Sequence, residues 1–234
     1  GGIDSSGVIA LALSASKGAR VRTFSIGFED ASFNELPFSN EVAEILGTQH
    51  VTEILTASRC LQILDQIYGR LDEPMADSSL VPSFLMCQLA REQVTVALGG
   101  DGSDELFAGY DPFMALAPAR KYSRMVPSFM HKGLTKLVGS TPVSHRNMSF
   151  DFKLKKFFMG LGFDAEVRNP IWLGCLPPSH LGKLFCEHIN VKEIYSEAIS
   201  AWQFGDSDND IDRTLQFYTE LYLQNGILTK MDRA

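Results

Sequence analysis

Strand-like and helix-like patterns alternate along the first hundred residues, and that alternation constrains the fold more than any other feature of the chain. RVRTFSIGF (20–28) combines β-branched and aromatic residues and predicts a strand. FSNEVAEILG (38–47) predicts a short helix ended by Gly47, and QHVTEILT (49–56) a second strand. Helical patterns follow at 57–70, through Leu61, Leu64 and Ile67, and at 79–92. The run VTVAL (94–98) is apolar and abuts Gly99 and Gly100, which suits a strand buried on both faces of a parallel sheet. The expected fold class is therefore α/β, a doubly wound, mainly parallel sheet with a mostly helical extension. Ligands of such sheets bind beyond the carboxyl ends of the strands.

Two glycine-rich loops stand where that rule needs them. The chain opens GGIDSS, with no methionine, leader or strand before it, and runs into GVIALALSAS. Gly1 and Gly2 let the backbone turn tightly and approach a ligand, while Asp4, Ser5 and Ser6 are favoured at a helix start. An anion is the natural guest of such a turn. VTVAL ends in GGDGSDELFAGY (99–110), which places Asp101, Asp104 and Glu105 within five residues. Carboxylates that face phosphates need a cation between them, and magnesium is held by one or two carboxylates plus phosphate oxygens. No G-x-x-x-x-G-K-[ST] occurs, the second loop lacks the calcium-loop register, and no G-x-S-x-G appears. The five histidines and four cysteines show no zinc-ligand spacing.

Charge divides the chain. Residues 1–112 carry 6 basic and 16 acidic side chains, residues 113–160 carry 9 and 1, and residues 161–234 carry 6 and 11. Pro112, Pro118, Pro127 and Pro142 punctuate the switch, which predicts a change of structural unit near residue 112. Basic residues interleaved with Phe113, Tyr122, Phe129, Phe150, Phe152, Phe157 and Phe158 fit amphipathic helices whose charge meets an acidic surface. Cysteines at 60, 87, 175 and 186 form no framework and predict a reducing compartment, the cytoplasm by default. No apolar run approaches a membrane span.

GGIDSS resembles the pyrophosphate loop S-G-G-x-D-S-S of the ATP pyrophosphatases with an adenine-nucleotide α-hydrolase-like fold, the PP-loop superfamily. DEPMADSSLVPSFLMCQLARE, then VALGGDGSDELFAGY, then the terminal ILTKMDRA resemble, in family order, the asparagine synthetase family within that group. The resemblance implies an ATP-dependent carbon–nitrogen ligase. ATP adenylates a carboxylate such as that of aspartate, pyrophosphate leaves, and ammonia attacks to form an amide. It implies ATP and Mg2+ as cofactors, with Gly1, Gly2, Asp4, Ser5 and Ser6 on the pyrophosphate and Asp4 with Asp104 on the metal. It also implies Ile26 and Gly100 beside the adenine, and Asp101 as the catalytic carboxylate that positions the amine and acyl-adenylate or takes a proton. Relatives of the best-known kind carry glutamate there, so a different acceptor is compatible with the shorter Asp101.

By the same resemblance, residues 1–112 form the ATP-binding α/β unit, starting inside the loop, and 113–234 a mostly helical extension on the same cleft, truncated at its end. Asp77, Ser78 and Ser79 shape the substrate side or cap the helix at 79–92. Lys230, Asp232 and Arg233 line the nucleotide cleft or form a salt-bridged helix start, and Asn225–Gly226 interrupts the helix of 213–224. A family lysine that steadies the adenylate is expected beyond Ala234, and a glutaminase domain that releases ammonia from glutamine is expected before Gly1. No membrane or nucleic-acid partner is expected, and a homodimer is compatible. A tRNA-modifying PP-loop enzyme and a non-catalytic nucleotide-binding module remain the alternatives.

Overall fold

The computed structural model describes residues 2–16, 18, 20–144, 146–174, 176–185, 190–204 and 208–234. The chain divides into two compact units, Gly1–Ser103 with Gly226–Ala234, and Asp104–Asn225.

The first unit holds α1 (Ile3–Ala15), β1 (Arg22–Phe28), α2 (Leu36–Leu46), β2 (Gln49–Leu55), α3 (Ala57–Tyr68) and α4 (Leu80–Arg91). Strands β1 and β2 pair in parallel, Arg22 opposite Gln49 and Phe28 opposite Leu55. Parallel neighbours need a crossover, which α2 supplies. Gly47 stops α2 in the left-handed region, φ 65°, with its N–H on the Ala43 and Glu44 carbonyls. Thr56 caps α3 by accepting from the Arg59 amide at 3.1 Å. The core gathers Leu55, Ile63, Ile67, Leu80, Phe84 and Leu85, with Ile26 and Phe28 packed against it. The inward face of α3 thus runs through Ile63 and Ile67, whereas Leu61 points to solvent. Gly27 is required by packing, since a Cβ there would lie 2.6 Å from the Leu36 Cγ.

The fold is α/β, but among the described residues the sheet has two strands. VTVAL is not one of them: Val96 and Leu98 are 76% and 78% exposed, and 94–98 has no ladder. Arg22 Nη1 holds the Gln93 carbonyl at 2.7 Å, which fixes where the segment begins. β-propensity cannot make a strand without a neighbour to share its N–H and C=O groups. The doubly wound sheet expected from the sequence is therefore reduced to one parallel pair.

The second unit is helical. It contains most of α5 (Ser103–Phe107), then α6 (Asp111–Met125), α7 (Ser128–Gly139), α8 (Phe150–Leu161), α9 (Ala165–Leu173), α10 (Pro178–Leu184), α11 (Val191–Ile194), α12 (Ser196–Phe204) and α13 (Asp210–Phe217). Its core is Phe113, Leu116, Ala119, Leu161, Trp172, Ala198, Phe217 and Tyr218. The basic stretch is partly neutralised inside this unit, by Lys153–Asp111 at 2.6 Å, Arg120–Asp210 at 3.4 Å and Lys155–Asp151 at 3.8 Å. Asn225–Gly226 does not break the terminal helix. From Tyr218 to Leu228 the backbone widens into a π-helix that contains both residues, and α14 (Thr229–Arg233) follows without a loop. Among the described residues no helix is long and apolar enough to cross a membrane.

Candidate active site

The first loop becomes the start of α1. Gly2 is the N-cap, at φ −71° and ψ 169°, and offers no side chain to the turn. The first intrahelical bond is Ser6 N–H to the Gly2 carbonyl at 3.1 Å, and the Ser6 hydroxyl donates to the same oxygen at 2.8 Å. Asp4, Ser5 and Ser6 therefore sit inside the first turn and do not serve as N-caps. The amides of Ile3, Asp4 and Ser5 precede any helical acceptor, and with the dipole of a 13-residue helix they present positive potential at its mouth. Ser5 is exposed, and Asp4 and Ser6 half-buried. Gly1 lies outside the described residues.

The second loop meets the first at Gly100. A Cβ added there would stand 3.0 Å from the Ser5 amide nitrogen, 3.1 Å from Asp4 Cβ and 3.1 Å from Ser5 Oγ. Only glycine allows that backbone-to-backbone approach. Gly102, at φ 93°, then turns the chain, and Asp101 is left exposed beside it. Asp101 also sits close enough to Cys87 to raise its thiol pKa, after burial, the larger cause. Ile26 directs its side chain to the core of the first unit, one register step before Gly27 and opposite Glu53.

Asp104 opens the second unit in α5. A Cβ on Gly109 would lie 2.9 Å from Asp104 Cγ, and the Gly109 N–H reaches the Asp104 carbonyl at 3.0 Å. Glu105 turns the other way. It is 2% exposed and accepts a hydrogen bond from the Tyr110 hydroxyl. Burial first, then that bond, push the Tyr110 pKa far above its ordinary value, so the phenol remains a donor.

At the other end of the first unit, Lys230, only 6% exposed, places Nζ 3.2 Å from Asp77 Oδ2 and 2.7 Å from Ser79 Oγ. Asp77 Oδ1 also accepts from the Ser79 amide at 2.9 Å and the Ser79 hydroxyl at 2.7 Å. Burial alone would raise the Asp77 carboxyl, but the two Ser79 bonds and the Lys230 ammonium outweigh it and hold its pKa below the usual carboxylate value. Arg233 pairs with Asp72, and Arg70 Nη1 reaches the Ala234 carbonyl at 3.3 Å. The start of α4 is thus fixed by Asp77 from two residues upstream, and Ser79 itself accepts no capping bond. Glu105 and the Lys230–Asp77 pairing escape sequence reasoning. The pairing spans 153 residues, and the clue to Glu105 was only the Tyr five positions on.

Among the described residues no three His, Cys, Asp or Glu side chains gather as a metal site. Magnesium that arrives with a nucleotide needs less: hard carboxylate oxygens, one or two, with phosphate oxygens and water completing the octahedron. Asp4, at the mouth of α1, and Asp104, in its own short helix, are donors of that kind. His50 is committed to Thr23 Oγ1 at 2.8 Å, and burial keeps its pKa low.

Comparison with known proteins extends these observations over the whole chain. A glutamine-hydrolyzing asparagine synthetase of Bacillus subtilis (strain 168) is 32% identical over 149 residues, 64% of this chain and 23% of that protein. A putative asparagine synthetase of Mycobacterium tuberculosis (strain ATCC 25618 / H37Rv) is 35% identical over 149 residues, 64% of this chain and 22% of that protein. A second putative one, from Methanocaldococcus jannaschii, is 27% identical over 243 residues, 100% of this chain and 43% of that protein. The chain thus spans less than half the length of these relatives. No solved structure matches. The family model described as asparagine synthase matches residues 1–234. The loops that meet at Gly100 and the network closed by Lys230 lie within that match, and the chain belongs to the asparagine synthase family.

Proposed function

We propose that this chain is the synthetase part of an enzyme that joins ammonia to a carboxylate at the expense of ATP, releasing AMP and pyrophosphate. The contact at Gly100 carries the reading, because it holds the glycine–aspartate loop against the Asp4–Ser5 backbone at the first turn of α1. Gly1, Gly2, Asp4, Ser5 and Ser6 grip the pyrophosphate; Ile26 and Gly100 border the adenine. Asp4 and Asp104 hold Mg2+, which neutralises charge on the leaving pyrophosphate. Asp101, exposed to an incoming ligand, positions the amine and the acyl-adenylate. Aspartate is the favoured acceptor, and Asp77 with Ser79 borders it. Residues 1–112 form the nucleotide-binding part of a PP-loop fold and 113–234 its helical extension. Ammonia comes from glutamine through a preceding glutaminase domain, and the reaction takes place in the cytoplasm. The glutamine-hydrolyzing names of the relatives support glutamine as the ammonia source.

The test uses the full-length protein with radiolabelled ATP, aspartate and either glutamine or ammonium. AMP and pyrophosphate should appear in step with asparagine, and ADP as the main nucleotide product overturns the reading. Asp4→Asn and Asp104→Asn should each lower turnover by about 10²–10³ with the fold intact, the scale on which one preorganised electrostatic group acts.

A further inference from the structure

Seven residues, Asp104 to Tyr110, form a closed loop within the second unit. Helix α5 stops at Ala108, which adopts φ 59°, a left-handed conformation unusual for a residue with a side chain. Gly109 then folds back, its amide on the Asp104 carbonyl at 3.0 Å and its Cα against the Asp104 side chain. One residue later the Tyr110 hydroxyl reaches across to Glu105. Tyr110 is itself anchored, stacked on Tyr218 with ring centroids 5.1 Å apart and meeting Tyr222 edge-on at 5.8 Å. Tyr218 is fully buried in the core beside Phe113. The position of the loop is therefore set by aromatic packing and transmitted through one phenolic hydrogen bond.

Two adjacent carboxylates, Asp104 and Glu105, occupy this loop, and they receive opposite treatment. Glu105 is drawn into the core and satisfied there by Tyr110; Asp104 stays half-buried at the surface of the short helix. A buried carboxylate that lost its donor would face the full cost of an unsatisfied charge and would turn outward. We infer that Tyr110 and Glu105 are positioning residues for Asp104: their hydrogen bond withholds Glu105 from the metal and orients Asp104 as the carboxylate this loop supplies. The inference rests on the proposed role of Asp104 as a magnesium ligand.

The test measures Mn2+ binding to the full-length protein by electron paramagnetic resonance, with a non-hydrolysable ATP analogue present, so that the readout does not depend on turnover. Tyr110→Phe should weaken Mn2+ binding about tenfold, the lower end of what loss of a partner behind a metal ligand produces. Glu105→Gln keeps a side-chain carbonyl that accepts from Tyr110 and should bind Mn2+ within about twofold of the parent, because the partner whose loss would cost about tenfold is retained. Tyr218→Phe, which removes a buried hydroxyl that has no hydrogen-bond partner among the described residues, should also match the parent. If Tyr110→Phe fails to fold, Glu105→Leu breaks the same bond with Tyr110 in place and should show the same loss. Parent-like binding in the bond-breaking variant, or a loss in Glu105→Gln at least as large, overturns the inference. Asp104→Asn separates the two claims: undiminished binding there defeats the metal assignment itself. Loss there with parent-like Tyr110→Phe defeats only the positioning role.

Discussion

A buried ammonium must keep its partners, and Lys230 has two, Asp77 and Ser79. Lys230→Met retains the aliphatic stem and removes the charge, which leaves Asp77 without its cation. The expected cost is about 1–3 kcal/mol, towards the lower end because the Asp77 side chain is 34% exposed. The pH dependence follows from the lowered Asp77 pKa. A carboxyl depressed on folding contributes stability that is fully present above its unfolded pKa and is lost as pH falls through its folded value. The urea midpoints of parent and Lys230→Met should therefore differ near neutral pH, begin to approach each other below about pH 4, the ordinary carboxyl range, and meet only once the pH falls below the lowered Asp77 value. A gap that persists unchanged into acid would mean that Lys230 acts through packing alone. Neither Lys230 nor Glu105 announces its partner in the sequence. The residue types at Gly2, Asp4, Gly100 and Asp101 were readable, because glycine and aspartate in a tight turn have few other uses. A long-range ion pair has no local signature.

At the level of elements, what could be read depended on whether an element is stabilised locally. Strands β1 and β2 and helices α2 and α3 emerge where periodicity and punctuation place them, with Gly47 and Thr56 as stops and starts. VTVAL fails as a strand because a ladder is a property of two segments, and the pattern of one cannot supply the other. Asn225–Gly226 reads as a break, yet a π-helix absorbs both residues, since the wider turn still satisfies their backbone groups. The junction between the two loops can be tested with paired glycine substitutions. Gly2→Ala meets nothing within 4 Å and keeps an ordinary φ, so its urea midpoint should stay within about 0.5 kcal/mol of the parent. Gly100→Ala meets the Ser5 amide nitrogen at 3.0 Å, which is backbone and cannot swing aside. It should cost about 1–3 kcal/mol, in the range of overpacked sites, and weaken ATP binding by calorimetry in parallel. Equal stability in the two variants would show that the loop contact carries no strain.

The whole molecule sorts its charge and its apolar surface unequally. The stretch 113–160, with 9 basic side chains and 1 acidic, is partly balanced by ion pairs inside the second unit. In the first unit the apolar helix α1 buries none of its residues, with Ile3 and Leu11 largely exposed, and 94–98 displays Val96 and Leu98. Composition could not foresee this, because burial is decided by neighbours and not by hydropathy. An uncharged, β-prone, proline-free five-residue run held open to solvent is a template for pairing with other chains. Residues 1–234 produced on their own should therefore bind a fluorescent apolar dye and elute above monomer size. Val96→Lys with Leu98→Lys should reduce both signals, and a dye-silent parent would show that the surface is covered. For anyone preparing this protein, the choice of where to cut becomes a question of colloidal behaviour as much as of catalysis. A boundary that leaves VTVAL bare invites inclusion bodies, and soluble yield would report on that edge before any assay of the active site.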